Sequence, residues 1–77
     1  MIPACSLITC KSGKFSEVVE RLQKINGVKR AFSVHGRWDV VAEIEVKELK
    51  DLSELVLKVN EVEGVLASDT LVGFEGL

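Results

Sequence analysis

FSEVVERLQKINGV, residues Phe15 to Val28, and LSELVLKVNEVEGV, residues Leu52 to Val65, lie over one another when their glycines are aligned. Gly27 and Gly64 set the offset at 64 − 27 = 37 residues, and Ser, Glu, Val, Gly and Val then recur in place. In the first copy Phe15, Val18, Val19, Leu22 and Ile25 fall at i, i+3, i+4, i+7 and i+10, and Leu52, Leu55, Val56, Val59 and Val62 repeat that spacing in the second. A stripe of this period is one face of an amphipathic helix. The chain is therefore a pseudo-repeat whose unit is a helix, a glycine turn and a strand.

Local signals bound these units. Ser12 is the expected N-cap of the first helix, and Asn26-Gly27 tolerates the positive φ that ends it. Asp51 and Glu54 are spaced like a capping pair for a second helix of equal length, with Gly64 past its end. Four segments rich in β-branched or alternating apolar residues read as strands: Pro3 to Cys10, Val28 to His35, Val40 to Val46, and Val65 to Val72. The order β-α-β-β-α-β predicts an α+β, ferredoxin-like sandwich: a four-stranded antiparallel sheet with two right-handed crossover helices on one face. All 77 residues are expected to form one domain, ending in the glycine-rich tail Gly73 to Leu77.

The central hairpin admits two registers. A four-residue Gly36 to Asp39 loop pairs Val34 with Val41, whereas one bulge pairs Val34 with Val40. In either register apolar residues fall on both faces of the sheet, and two helices cover one face only. The bare face is expected to dock on the same face of a second copy, giving a homodimeric α+β barrel.

Composition narrows the function. A formal net charge of -2 gives the chain no general attraction for a polyanion, and the basic residues Lys11, Lys14, Lys29, Arg30 and Arg37 are interleaved with acidic ones. Direct nucleic-acid binding is not expected. The sequence holds no membrane-spanning run and no signal peptide, so a cytoplasmic protein is expected. Cys5 and Cys10 would stand roughly 16 Å apart along an extended strand, too far to bridge, and read as ordinary buried or half-buried thiols. His35 is the sole histidine, so acid-base devices are scarce, and it reads as a half-exposed structural residue. Glu43 and Glu45 point to one face as a charged rim, and Leu57 falls off the helical stripe and should face outward. Neither metal-ligand spacing nor a glycine-rich phosphate motif is present, so no cofactor is expected.

The tip of the hairpin remains. Gly36 can supply φ > 0, Asp39 can cap backbone N–H groups, and Trp38 can lie back over the sheet edge. The same residues can also form a zwitterion site, in which backbone amides beside Gly36 take a carboxylate, Asp39 takes an ammonium, and Arg37 or Trp38 shapes the pocket.

The stretch VHGRWDVV, Val34 to Val41, resembles the "V-x-G-x-aromatic-Asp" hairpin of the leucine-responsive and asparagine regulators, the Lrp/AsnC family. Ile25-Asn26-Gly27-Val28, Val62-Glu63-Gly64-Val65 and the closing Ser68-Asp69-Thr70-Leu71-Val72 also sit where that family's effector module, the RAM domain, has its own. The resemblance covers Ile2 to Val72. It implies a sheet-to-sheet dimer, rings of dimers such as octamers, and an amino-acid effector bound where dimers meet. By position it implies Gly36, Arg37, Trp38 and Asp39 as ligand-binding residues, with Ser68 and Thr70 contributed by a neighbouring subunit. The usual helix-turn-helix is missing from this sequence, so the resemblance implies a stand-alone module acting through self-assembly, a full-length Lrp/AsnC relative or another partner. The expected protein is a sensor in transcription regulation or metabolism, not an enzyme. Two alternatives compete: a small dimeric enzyme of the monooxygenase type using His35 in a closed cavity, and a purely structural oligomerisation module.

Overall fold

The structure, a computed structural model, describes residues 1–73, so the tail beyond Gly73 lies outside the described residues. The elements follow in the expected order: β1 (Ile2–Cys10), α1 (Phe15–Leu22), β2 (Val28–Ser33), β3 (Val40–Val46), α2 (Leu49–Glu61) and β4 (Val65–Val72). The strands form one antiparallel sheet in the order β2-β3-β1-β4. This is the ferredoxin-like sandwich, and both helices lie on the same face.

Period-two alternation divides the sheet. Ala4, Ser6, Ile8 and Cys10 of β1, Ala31 of β2, and Val40, Ala42, Ile44 and Val46 of β3 are buried beneath the helices. Val18 and Leu22 of α1 and Leu52, Leu55 and Val59 of α2 close over them. Each large aliphatic side chain removed from water in this way stabilises the fold by about 1.5–3 kcal/mol. Ser6 is the one polar residue in this buried set, and its hydroxyl lies 2.7 Å from that of Thr70, so no buried hydrogen-bonding group is wasted there.

The two halves lock together through their turn glycines. A Cβ on Gly64 (φ +101) would meet Val18 Cγ2 at 3.0 Å, and one on Gly27 (φ +103) would meet Leu55 Cδ2 at 3.4 Å. Val18 and Leu55 are themselves 55 − 18 = 37 residues apart, so each copy of the repeat seats its glycine on the equivalent helix position of the other.

Several boundaries differ from expectation. The two helices are unequal, α1 with eight residues and α2 with thirteen. Ser12 does not cap α1: it lies in a turn closed by the Lys14 N–H on the Lys11 carbonyl (3.0 Å), with Gly13 at φ +78, and Lys14 takes the N-cap position. The chain then leaves α1 at Leu22 through tighter bonds, Lys24 N–H to Arg21 and Ile25 N–H to Leu22, before Gly27 turns it. Asp51 and Glu54 are not a capping pair, because α2 already starts at Leu49 with Glu48 as N-cap; Asp51 instead lies in the first turn, where its charge suits the helix dipole.

The hairpin adopts neither expected register. Ser33 pairs with Val40 and Phe32 with Val41, and Val34 N–H donates to the Asp39 carbonyl at 2.9 Å, so the loop is His35 to Trp38 and β2 ends two residues early. The four-residue loop has slid by one position because Asp39 works in the ladder on both sides, its own N–H donating to the Ile8 carbonyl at 2.9 Å. The shift from Val34–Val41 pairing is two residues and leaves every side chain on its face.

The opposite face carries no helix. Cys5, Leu7 and Thr9 of β1, Val41, Glu43 and Glu45 of β3, Arg30 and Phe32 of β2, and Ala67, Asp69 and Leu71 of β4 share it. Arg30 grips Glu43 through two bonds of 3.1 Å and lies 5.1 Å from the centre of the Phe32 ring, while Lys29 pairs with Glu45 at 3.5 Å. Among the described residues, no helix is long and apolar enough to cross a membrane.

Replacing Gly64 by alanine combines a strained φ with a clash against Val18 and is expected to cost about 2 kcal/mol, against about 1 kcal/mol for Gly36→Ala, where only the backbone is strained. Urea midpoints of the two variants measure the difference.

Candidate functional site

The hairpin tip stands at the far end of β1 from the N-terminus. His35, Gly36 and Arg37 are exposed, whereas Trp38 and Asp39 are half-buried. Gly36 has φ +118 with open space around it, so a glycine is needed there for conformation and not for room. Asp39 fixes the base of the tip. Besides its two backbone bonds, its carboxylate Oδ2 accepts the Cys10 N–H at 2.8 Å, capping β1 where that strand runs out of partners.

A cleft of about 300 Å³ opens beside the tip, lined by Phe15, Ser33, Val34, His35 and Asp39. It joins the start of α1 to the end of β2. Spacing alone misplaces Phe15, which it assigns to the core stripe; the ring is 47% exposed and forms one wall of the cleft. The signal for this lies in the loop ahead of it, four residues from Cys10 to Phe15 against two from Val46 to Leu49.

Ser68 and Thr70 are not brought to the tip within one chain. Both lie on β4, beyond β1 from the hairpin, with side chains toward the helices. The Ser68 hydroxyl donates to Asn60 Oδ1 at 2.6 Å, and that of Thr70 pairs with Ser6. Gly36, Arg37, Trp38 and Asp39 form one contiguous corner.

Glu43 and Glu45 are held in ion pairs with Arg30 and Lys29, as a charged rim would be. His35 borders an open cleft, whereas the monooxygenase-type alternative needs it inside a closed cavity. A larger cleft, of about 380 Å³, lies between the Asn26-Gly27 turn, the end of β3 and α2, and contains no tip residue. Among the described residues no cluster of three or more His, Cys, Asp or Glu side chains is arranged to hold a metal. Both cysteines are free thiols. Burial pushes each thiol above its ordinary value, assisted by the Glu43 carboxylate at Cys5 and by Asp39 at Cys10. Neither is therefore primed as a thiolate.

Residues 4–76 match the model of the Lrp/AsnC ligand binding domain. The chain belongs to that family. It is 32% identical over 71 residues to the HTH-type transcriptional regulator FL11 of Pyrococcus furiosus, a match that covers 92% of this chain and 47% of FL11. Homocitrate synthases of Saccharolobus islandicus match at 27% identity over 70 residues, 90% of this chain but 15% of the enzyme. The chain thus spans about half, or much less, of the curated relatives it matches. Among solved structures, TTHA0845 of Thermus thermophilus superposes with a TM-score of 0.93 at 28% identity, with 100% of this chain and 98% of that one covered. A hypothetical protein of Pyrococcus horikoshii gives 0.90 at 28% identity, covering 99% and 93%. AsnC of E. coli has the same fold, TM-score 0.89 at 14% identity, over 97% of this chain and 52% of that one.

Two outcomes test this description. Asp39→Ala orphans the Cys10 N–H and is expected to cost about 2 kcal/mol, while Asp39→Asn, which keeps an acceptor oxygen, costs less; both are read from unfolding midpoints. Stability owed to the neutral thiols is complete below their ordinary value of 9.0 and is lost as pH rises through the raised folded values. Cys10→Ala should therefore flatten the fall in urea midpoint as pH rises past 9.0.

Proposed function

We propose that this chain is an amino-acid-sensing regulatory module. It pairs with a second copy through the bare sheet face, the pairs assemble further through their hairpin tips, and a free amino acid binds where pairs meet. The ligand's carboxylate meets backbone amides beside Gly36 together with the Arg37 guanidinium, and its ammonium meets Asp39. Ser68 and Thr70 of a neighbouring copy are secondary contacts. The output passes to transcription regulation or metabolism through the assembly itself, or through a full-length Lrp/AsnC relative that shares it.

One observation carries this reading. The tip combines an open glycine backbone with a carboxylate anchored by Cys10, on a fold of the Lrp/AsnC ligand-binding family. The bare face supports the pairing. Its apolar residues Leu7, Phe32, Val41 and Leu71 lie beside two ion pairs made within the chain, Arg30–Glu43 and Lys29–Glu45, which leaves Asp69 as the charge that a second copy would have to meet or leave in water. A ligand held only by the assembled state stabilises it by about 2.7 kcal/mol at a hundred times its dissociation constant, enough to shift a balanced equilibrium strongly.

Calorimetric titration with the twenty amino acids, paired with solution mass measured with and without each, is the test. A dimer or a multiple of it at micromolar concentration, one or a few amino acids giving heat, and a ligand-dependent change in mass are expected. Arg37→Ala should weaken binding about tenfold or more while leaving the melting temperature unchanged. A folded monomer without any binding heat would sink the proposal, and a stable ring indifferent to every amino acid would favour the structural module instead.

A further inference from the structure

We infer that Phe15 selects the ligand: the cleft between Phe15, Val34 and Asp39 takes the aromatic or large aliphatic side chain of an amino acid whose ammonium sits on Asp39. This rests on the reading of the tip given above and adds to it a residue and a substrate class.

The repeat supplies the first argument. Phe15 and Leu52 are equivalent under the 37-residue offset, yet Leu52 is 6% exposed and Phe15 47%. The two extra residues in the loop before α1 begin that helix later, and the ring emerges beside the hairpin and not over the sheet. An aromatic ring kept half in water, at a place where its counterpart is buried, is a surface with something still to cover it.

Size and polarity supply the second. The cleft is about 300 Å³, at the small end of ligand pockets and on the scale of one amino acid. Phe15 and Val34 make its apolar walls and Asp39 its charged end. Because Cys10 N–H binds Oδ2, the carboxylate is held in place, with Oδ1 left as the acceptor for an ammonium. An acidic side chain would be repelled by Asp39, and a small one would leave the Phe15 ring wet.

The test is calorimetry on the full chain with glycine, alanine, leucine, phenylalanine and aspartate, for wild type, Phe15→Ala and Phe15→Leu, each first checked by thermal melting. Wild type should prefer leucine or phenylalanine over alanine by about tenfold or more, as expected of a pocket that reads added methylenes. Phe15→Ala should abolish that preference while leaving alanine binding within about twofold. Phe15→Leu, which keeps an apolar wall, should retain it for leucine. If Phe15→Ala binds with wild-type selectivity, the role of Phe15 is overturned and the tip site stands. If wild type binds no amino acid at all, the tip reading falls and this inference with it.

Discussion

Two helices, of eight and thirteen residues, can shield only one side of a four-stranded sheet, and the rest of the molecule follows from that shortage of cover. On the covered side, small residues at Ala4, Ser6 and Ala42 alternate with larger ones at Ile8, Val40 and Ile44, and the helices sit down on them. On the other side each strand shows its alternate residues to the outside. There four of the charges are matched within the chain, Arg30 with Glu43 and Lys29 with Glu45, and an aromatic ring lies against the guanidinium. Internal pairing of this kind keeps a bare face tractable: it lowers the charge left to desolvate without removing the apolar surface that favours contact.

The second constraint is the economy of Asp39. One residue closes the hairpin with its carbonyl, joins the hairpin to β1 with its N–H, and caps the last amide of β1 with its side chain. A tip held at three points is rigid at its base, while the exposed His35 to Arg37 segment stays accessible. That combination suits recognition, because groups fixed in advance lose little freedom when a ligand arrives.

Much of this was legible in the residue pattern, and the exceptions have physical causes. The 37-residue repeat led to the element order, and β3 and β4 begin and end where their alternation does. Of the two registers left open, the Val34–Val41 pairing gives the faces seen, because the realised register differs from it by two residues and strand side chains repeat every two, whereas the Val34–Val40 pairing is one residue off. Helix ends were not legible. Ser12 has the right chemistry for a cap, but the Gly13 turn claims that stretch of backbone first. Phe15 has the right spacing for the core, yet loop length places it elsewhere, and periodicity carries no information on loop length. Of the tip, the glycine and the carboxylate were readable as types, whereas the bond from Cys10 to Asp39 joins residues 29 apart and depends on which strands are neighbours.

Strand order has a further consequence for how the chain could be joined to anything else. Ala4 pairs with Val72 at one end of β1, and Asp39 meets Ile8 and Cys10 at the other, so Met1 and Gly73 lie at the pole opposite the tip. The separation is about six residues of extended strand, or roughly 20 Å. A probe placed at Met1 would stand clear of the cleft, separated from it by the length of β1.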